Sequence, residues 1–163
     1  MLVYFSDNIA TYELENDVTT WRDADEATGC LLLGRTVDDT ERFGVAVLDE
    51  SGEMVNIEEK PDSPQSSVAI GGIYLFDENF WTYMDEEMAL KGSAFTVTDV
   101  NRRYISQGKA LLRNIDEYLW LDCGTPDALL EASQLAADGK LSPEPCNFRE
   151  DDPLPWLLVT SDS

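Results

Sequence analysis

Two aspartates in this sequence occupy positions at which a carboxylate could do chemistry. Asp7 comes just past the apolar residues 3–5, after Ser6, and Asp122 directly follows the apolar residues 119–121. In open α/β sheets, ligands bind at the carboxyl ends of strands, so two carboxylates that follow strands could converge there. Mg²⁺ takes one or two protein carboxylates together with phosphate oxygens, and such a pair would suit it. An ordinary turn or helix-cap aspartate is the alternative explanation for each residue.

Lys60 could place a positive charge near these carboxylates. It is one of four lysines in the chain and follows Glu59 at the end of a predicted β-hairpin. A lysine at a strand end can meet a phosphate as a point charge. The alternative is a solvated lysine that offsets its acidic neighbours.

Gly71 and Gly72 interrupt an otherwise apolar run. Glycines inside a strand indicate a close approach of the backbone to a ligand, or a β-bulge. Both explanations stay open at this point.

The charge balance restricts the chemistry further. The 163 residues include 33 acidic and 11 basic ones, which gives a net charge of −22, and there is no histidine. This balance excludes nucleic-acid binding through a basic groove and docking on an anionic membrane. Without histidine there is no Ser-His-Asp triad and no His-ligated zinc site. Chemistry must rely on carboxylates, a few cations, hydroxyls or a metal.

The cysteines and the N-terminus bear on the compartment. Cys30, Cys123 and Cys146 are far apart and form no CxxC motif, which argues against a disulfide scaffold or a zinc ribbon. The apolar runs are too short to span a bilayer, and the N-terminus lacks the cationic region of a signal peptide. We therefore expect a reduced, cytoplasmic protein.

The acidic residues are spread along the whole chain rather than gathered in a tail. Dispersed acid with little lysine suits a surface that must stay hydrated in concentrated salt. At molar ionic strength the Debye length falls to about 3 Å, so self-repulsion is largely screened. We therefore expect a halophilic, salt-adapted protein.

The elements that must position these residues alternate between strands and helices. Apolar runs predict a buried strand over 2–6 and further strands over 29–34, 67–76, 109–115 and 118–122. Alternating residues around a turn at 49–52 predict a hairpin over 43–60. Helical spacing and capping residues predict helices over 12–24, around 80–88, from a cap at Thr98 or Asp99 to about 108, and over 126–139.

This alternation predicts the α/β class. We expect one domain over residues 1–142, followed by an irregular, acidic, proline-rich tail over 143–163.

Several separated segments together resemble one protein family. They are Val3-Tyr4-Phe5-Ser6-Asp7-Asn8, Glu41-Arg42-Phe43-Gly44-Val45, Ile57-Glu58-Glu59-Lys60-Pro61, Ala69-Ile70-Gly71-Gly72-Ile73-Tyr74-Leu75-Phe76-Asp77, Val97-Thr98-Asp99-Val100-Asn101 and Trp120-Leu121-Asp122-Cys123-Gly124-Thr125. In order and spacing they are similar to sugar-1-phosphate nucleotidyltransferases, most of all to the glucose-1-phosphate thymidylyltransferases. Each motif is weak by itself, and the ordered set over about residues 2–137 carries the resemblance.

The resemblance implies a Rossmann-like nucleotidyltransferase fold with a mixed sheet. It also implies a reaction in which a sugar 1-phosphate oxygen attacks the α-phosphorus of a nucleoside triphosphate and releases pyrophosphate. Because this nucleophile is already ionised, positioning and charge neutralisation matter more than a general base.

The resemblance also implies roles for single residues. Asp7 and Asp122 would hold Mg²⁺, and Lys60 would contact the sugar phosphate, so these three form the implied catalytic set. The implied substrate-binding residues are Gly44, Glu59, Ile70, Gly72, Tyr74, Lys91 and Trp120. Among them, Glu59 would hydrogen-bond sugar hydroxyls, and the two glycines would let the backbone approach the sugar. Lys91 is the cation nearest to the place where the family has an arginine.

The sequence also departs from the family pattern. Family members begin with a strand and a glycine-rich loop whose amides hold the triphosphate, and this chain has no such loop. Ser6 and Cys123 replace a usual glycine and threonine. A missing loop would also leave a sheet edge exposed.

Three interpretations remain open. The chain is a nucleotidyltransferase whose N-terminal part is absent, a binding module for sugar phosphate or nucleotide sugar without catalysis, or a regulatory partner of a full-length homologue. We expect a homo-oligomer or a complementing N-terminal chain.

Overall fold

The computed structural model describes residues 1–23 and 28–141. The strands are β1 Leu2–Tyr4, β2 Asn8–Ala10, β3 Cys30–Thr36, β4 Gly44–Leu48, β5 Met54–Glu59, β6 Val68–Phe76, β7 Ala110–Asn114 and β8 Trp120–Asp122. The helices are α1 Glu15–Asp23, α2 Phe80–Lys91, α3 Val97–Ser106 and α4 Pro126–Ala137, and short 3₁₀ turns cover Thr40–Arg42 and Gly92–Ala94.

The strands form one large and one small sheet. The six-stranded sheet has the order β5-β4-β6-β3-β7, and β1 also pairs with β6. Strands β3 and β7 run parallel and the other pairs are antiparallel, so the sheet is mixed. Strands β2 and β8 form a separate antiparallel pair. The predicted α/β class with a mixed sheet is confirmed.

The long strand β6 has two different partners along one of its edges. Val45 of β4 pairs with Ala69, and Tyr4 of β1 pairs with Ile73. The first residue of β4 and the last residue of β1 therefore approach each other beside the middle of β6. In this gap the sheet is split, and Gly71 and Gly72 lie there.

The core lies on both faces of the sheet, which explains the near-continuous apolar runs of β3 and β6. Leu32 and Phe76 face α2 and α3, where they pack with buried Tyr104. Leu31 and Leu33 face the opposite side, where Trp120 and residues of α1 cover them.

Three local expectations need correction. Strand β1 is not buried, because no described strand covers its outer edge, and Leu2 and Tyr4 are 51% and 44% exposed. Helix α3 begins two to three residues earlier than expected: Thr96 is its cap, and Asp99 closes a capping box with it. Helix α2 is longer than the predicted segment around 80–88.

The tail predicted over 143–163, with Cys146, lies outside the described residues. Within residues 1–23 and 28–141, no helix has the length and apolar character needed to cross a membrane.

Candidate functional site

A cleft of about 390 Å³ opens where the large sheet is split. Its floor is the middle of β6, and its walls come from the end of β1, the start of β4, the end of β5, the start of α3 and strand β8. The lining residues are Phe5, Asp7, Asn8, Arg42, Phe43, Gly44, Glu59, Lys60, Ile70, Gly72, Tyr74, Thr96, Val97, Thr98, Trp120 and Asp122. All but one of the residues implied by the resemblance line this cleft, although they are spread over more than a hundred positions of the chain.

The small sheet brings the two candidate metal ligands together. Asn8 pairs with Asp122 across β2 and β8, and the Cys123 N–H donates to the Asp7 carbonyl at 2.6 Å. A Cβ added to Gly124 would lie 2.9 Å from Asp122 Oδ1 and 3.8 Å from Asp7 Oδ2, so both carboxylates border one small space. Burial and these two negative charges raise the pKa of the Cys123 thiol.

These carboxylates fit Mg²⁺, which prefers oxygen ligands and commonly takes only one or two from the protein. Among the residues that the structure describes, no group of three or more acidic or cysteine side chains could hold a metal ion by itself. The two aspartates would therefore share such an ion with ligand oxygens or water.

Asn8 links Asp7, one of the two candidate metal ligands, to strand β6 at the floor of the cleft. Its Oδ1 accepts from the Gly72 N–H at 3.1 Å and from Trp120 Nε1 at 2.7 Å, while its Nδ2 donates to Asp7 Oδ1 at 2.9 Å. The side chain thus satisfies a β6 backbone group where the neighbouring strand is missing. Because Asn8 is 6% exposed, its hydrogen bonds hold Asp7 in a defined orientation.

Glu59 and Lys60 lie at the end of β5, on the opposite wall. The Thr98 hydroxyl donates to Glu59 Oε2 at 2.6 Å, which fixes this carboxylate from α3. Lys60 has φ 48°, a left-handed conformation that costs a non-glycine residue about 1 kcal/mol or more. Such strain is found at functional sites, where the surrounding structure enforces it.

Gly44 and Gly72 differ in what their missing side chains allow. A Cβ at Gly44 would lie 3.2 Å from Ile57 Cγ2 and 3.4 Å from Glu59 Oε2, a tight contact that small shifts of these side chains could relieve. A Cβ at Gly72 would lie 2.8 Å from Phe5 Cβ and 2.9 Å from Asn8 Nδ2, so here packing requires glycine. The backbone of Gly72 still lines the cleft.

Three apolar or aromatic side chains complete the floor. Ile70 and Tyr74 are 7% and 4% exposed, and the Trp120 ring packs against that of Phe43 with centroids 5.4 Å apart. Burial raises the pKa of the Tyr74 phenol, and the charge of Glu59 raises it further. Tyr74 therefore stays a neutral hydrogen-bonding group at physiological pH.

Lys91 is the one implied site residue that the structure does not bring to the cleft. Its ammonium pairs with Asp99 at 2.5 Å, beside Arg102 at the far side of α3. This position follows from the capping box, which turns the Asp99 carboxylate toward the end of α2.

Asn8, Arg42 and Thr98 also line the cleft, although the sequence predicted no ligand-binding role for them. Each of the three lies within one of the segments that resemble the nucleotidyltransferase family, and this membership is the one sequence feature that points to them. Their partners are distant in the chain, so the residue types alone do not reveal the contacts.

The fold and the cleft define an α/β protein whose candidate ligand site lies at strand ends, with two carboxylates and a lysine around it. The nucleotidyl transferase family model matches residues 1–139, and the chain belongs to this family.

Known relatives agree with this assignment. The glucose-1-phosphate thymidylyltransferase of Xanthomonas campestris is 36% identical over 106 residues, which are 64% of this chain and 36% of that protein. The low-salt glycan biosynthesis nucleotidyltransferase Agl11 of Haloferax volcanii is 29% identical over 140 residues, 85% of this chain and 38% of that protein. The chain thus spans 36% to 38% of the length of these relatives.

Solved structures show the same fold. A Bacillus anthracis protein assigned as a glucose-1-phosphate thymidylyltransferase and crystallised with sucrose has a TM-score of 0.75 and 36% identity. The match covers 85% of this chain and 55% of that one. An apo UDP-glucose pyrophosphorylase has a TM-score of 0.71 at 17% identity, which concerns the fold alone. The Rossmann-like nucleotidyltransferase fold is confirmed.

Proposed function

We propose that this chain forms the sugar-phosphate and metal side of a sugar-1-phosphate nucleotidyltransferase. The reaction would join a sugar 1-phosphate to a nucleoside triphosphate and give a nucleotide sugar and pyrophosphate. The single observation that carries this proposal is the cleft, in which Asp7, Asp122, Lys60 and Glu59 meet around the split in the sheet.

The residues of the cleft suit the parts of such a ligand. Lys60 would neutralise the phosphate of the sugar, and Glu59, fixed by Thr98, would accept hydrogen bonds from sugar hydroxyls. The sugar ring would lie against the backbone of Gly44, which carries no side chain, with Ile70, Tyr74 and Trp120 beneath the ring. This list of contacts omits Lys91, which lies elsewhere.

The chemical step would need no general base. A phosphate oxygen of the sugar 1-phosphate forms a bond to the α-phosphorus, and the bond from that phosphorus to the bridging oxygen breaks, so that pyrophosphate leaves with the electron pair. Asp7 and Asp122 would hold Mg²⁺, which when bound neutralises phosphate charge. Asn8 would keep Asp7 oriented for this task.

We further propose glucose 1-phosphate and a thymidine triphosphate as the substrates. Support comes from relatives named as glucose-1-phosphate thymidylyltransferases, at 36% and 33% identity in Xanthomonas campestris and Neisseria gonorrhoeae. The sucrose in the Bacillus anthracis structure is consistent with a carbohydrate site in that protein.

A direct assay tests this function. The purified chain is incubated with Mg²⁺, glucose 1-phosphate and each nucleoside triphosphate, in about 2 M KCl to screen its charge. We expect chromatography to show a nucleotide sugar, and we expect Asp122→Asn to lower its rate by about a hundredfold or more. Asp138→Asn is the matched control, because this exposed residue pairs only with Lys140 among the described side chains. Equal rates for the Asp122 variant and the wild type would refute the metal role.

The second candidate is a binding or regulatory module that pairs with a full-length homologue and does not catalyse. The small number of positive charges favours it: among the described residues that line the cleft, only Arg42 and Lys60 are cations that could bind a triphosphate. Glucose 1-phosphate binding without product, in a folded sample, would decide for this candidate.

A further inference from the structure

Arg42 lines the cleft and also a neighbouring groove that contains Asp39. It ends the 3₁₀ turn that precedes β4, and its side chain is 38% exposed. Its Nη1 donates to Asp39 Oδ2 at 2.8 Å, and its Nη2 donates to Asp122 Oδ1 at 3.3 Å. The guanidinium carbon lies 5.1 Å from the centroid of the Phe43 ring.

These contacts make Arg42 the counter-ion of one candidate metal ligand. Asp122 and Asp7 are neighbours of like charge, and two such groups repel each other unless a cation lies close. Asp7 is hydrogen-bonded by the neutral amide of Asn8. Within the described part of the chain, Arg42 is the only cation in an ion pair with either aspartate.

A divalent cation at the two aspartates would change this balance. It would take over the charge of Asp122, and it would repel a guanidinium that lies at hydrogen-bond distance from the same oxygen. Arg42 would keep Asp39 and the Phe43 ring as supports, while the N–H groups that face Asp122 would become available. A guanidinium matches phosphate oxygens in a bidentate manner, and the cleft already places Lys60 on the opposite wall.

We propose that Arg42 neutralises Asp122 in the metal-free chain and binds the phosphate of the sugar ligand once a divalent cation has displaced it from Asp122. The phosphate part rests on the proposed function, and the metal part does not.

The proposal predicts two effects of opposite sign for Arg42→Gln. Mn²⁺ should bind about threefold tighter or more, because the competing charge is gone. Glucose 1-phosphate should bind about tenfold weaker in the presence of Mn²⁺, because a charged hydrogen-bond donor is lost. If Arg42 had a merely structural role, its substitution would weaken the binding of both Mn²⁺ and glucose 1-phosphate. Arg42→Lys keeps the charge without the planar fork, so Mn²⁺ affinity should stay near that of the wild type while glucose 1-phosphate affinity falls.

The experiment measures free Mn²⁺ by electron paramagnetic resonance, first with the metal alone and then with glucose 1-phosphate titrated by calorimetry. Circular dichroism verifies that each variant is folded. Arg103→Gln is the control with the same change of net charge, because Arg103 pairs with Glu86 and Glu87 away from the cleft. We expect it to leave both affinities unchanged.

Weaker or unchanged Mn²⁺ binding by Arg42→Gln would overturn the proposal, and so would a wild type that binds no Mn²⁺. Unchanged glucose 1-phosphate affinity in Arg42→Gln, while Lys60→Gln loses it, would overturn the phosphate part. If the wild type binds Mn²⁺ but no sugar phosphate, the proposed function and the phosphate part fail together. Tighter Mn²⁺ binding by Arg42→Gln would then still support the metal part, in which Arg42 and the divalent cation compete for Asp122.

Discussion

At the scale of single residues, the cleft depends on side chains whose orientation is fixed by neighbours. Glu59 is held by Thr98, Asp7 by Asn8, and Asp122 by Arg42. Lys60 differs from these residues, because its backbone and not its side chain is held in a defined conformation. A site in which the reacting groups are oriented before the ligand arrives loses less entropy on binding.

Lys60 should show a trade between stability and binding. Lys60→Gly removes the side chain from a left-handed conformation that glycine adopts without strain, so we expect the free energy of unfolding to rise by about 1 kcal/mol. The same change should weaken glucose 1-phosphate binding about tenfold or more, because the cation is lost. Urea denaturation and calorimetric titration measure the two effects. Lys60→Gln keeps the strain and serves as the control, with weakened binding and no gain in stability.

The aspartates and Lys60 were predictable because each belongs to a local pattern, a charged residue at or just past the end of a strand. Asn8, Thr98 and Arg42 could not be assigned from sequence, since their contacts with residues 72, 59 and 122 exist only after folding. Lys91 was assigned to the site from its place in the chain. The structure places Lys91 in an ion pair with Asp99, and it does not line the cleft.

At the scale of elements, the split beside β6 creates the site. Strands β4 and β1 share one edge of β6 and leave its middle for the glycines and Asn8. Strands β1, β3, β6, β7 and β8 were predictable from their apolar runs, and β4 and β5 from alternation around a turn. Strand β2 was not predicted, because its three residues form no apolar run. The exposure of β1 was not predictable either, because it depends on which strands lie beside it rather than on its own residues.

The two glycines at this split should respond differently to the same substitution. Gly72→Ala would place a Cβ against Phe5 and Asn8, and we expect a loss of about 1–3 kcal/mol in the free energy of unfolding. Gly44→Ala would crowd its neighbours less, with Ile57 Cγ2 at 3.2 Å and Glu59 Oε2 at 3.4 Å, so it should cost less stability than Gly72→Ala. It should nevertheless weaken glucose 1-phosphate binding, because it adds a methyl group to the lining of the cleft. Urea denaturation and titration of both variants test this contrast. A more strongly destabilised Gly44 variant would contradict it.

The start of α3 should contribute a pH-dependent part of the stability. Burial alone would raise the pKa of Asp99, but hydrogen bonds from Lys91 and the Thr96 N–H, with the charge of Arg102, lower it below its ordinary value of 3.8. The ionised form is therefore favoured in the folded state, and its contribution is present above about pH 4 and lost as the pH falls further.

Asp99→Asn should accordingly destabilise the protein at pH 7 and destabilise it less at pH 3. Thermal unfolding at both pH values measures the difference. The exposed Asp138→Asn is the control and should change little at either pH. An equal effect of Asp99→Asn at both pH values would show that the carboxylate charge is not what stabilises the helix start.

At the scale of the whole molecule, the net charge of −22 is the dominant feature. Salt adaptation stays a prediction. Because screening removes self-repulsion, we expect the thermal unfolding midpoint to rise markedly between 0.1 and about 2 M KCl. The same midpoint at both concentrations would contradict this expectation.

The outer edge of β1 also belongs to this scale. Leu2, Tyr4 and Phe5 leave 40% to 51% of their surface exposed there, and no described strand pairs with this edge. Exposed edges favour pairing with another strand. Association, as a homo-oligomer or with a complementing chain, therefore stays a prediction that light scattering can test.

The central claim is that the cleft at the split sheet binds a sugar 1-phosphate through Lys60 and a metal held by Asp7 and Asp122. The most direct measurement is a calorimetric titration of the chain with glucose 1-phosphate, with and without Mg²⁺, and with glucose in place of its phosphate. We predict binding of glucose 1-phosphate that is tighter with Mg²⁺, weaker binding of glucose, and a loss of the Mg²⁺ effect in Asp122→Asn. Equal binding of glucose and glucose 1-phosphate, or a Mg²⁺ effect that survives in Asp122→Asn, would contradict the account.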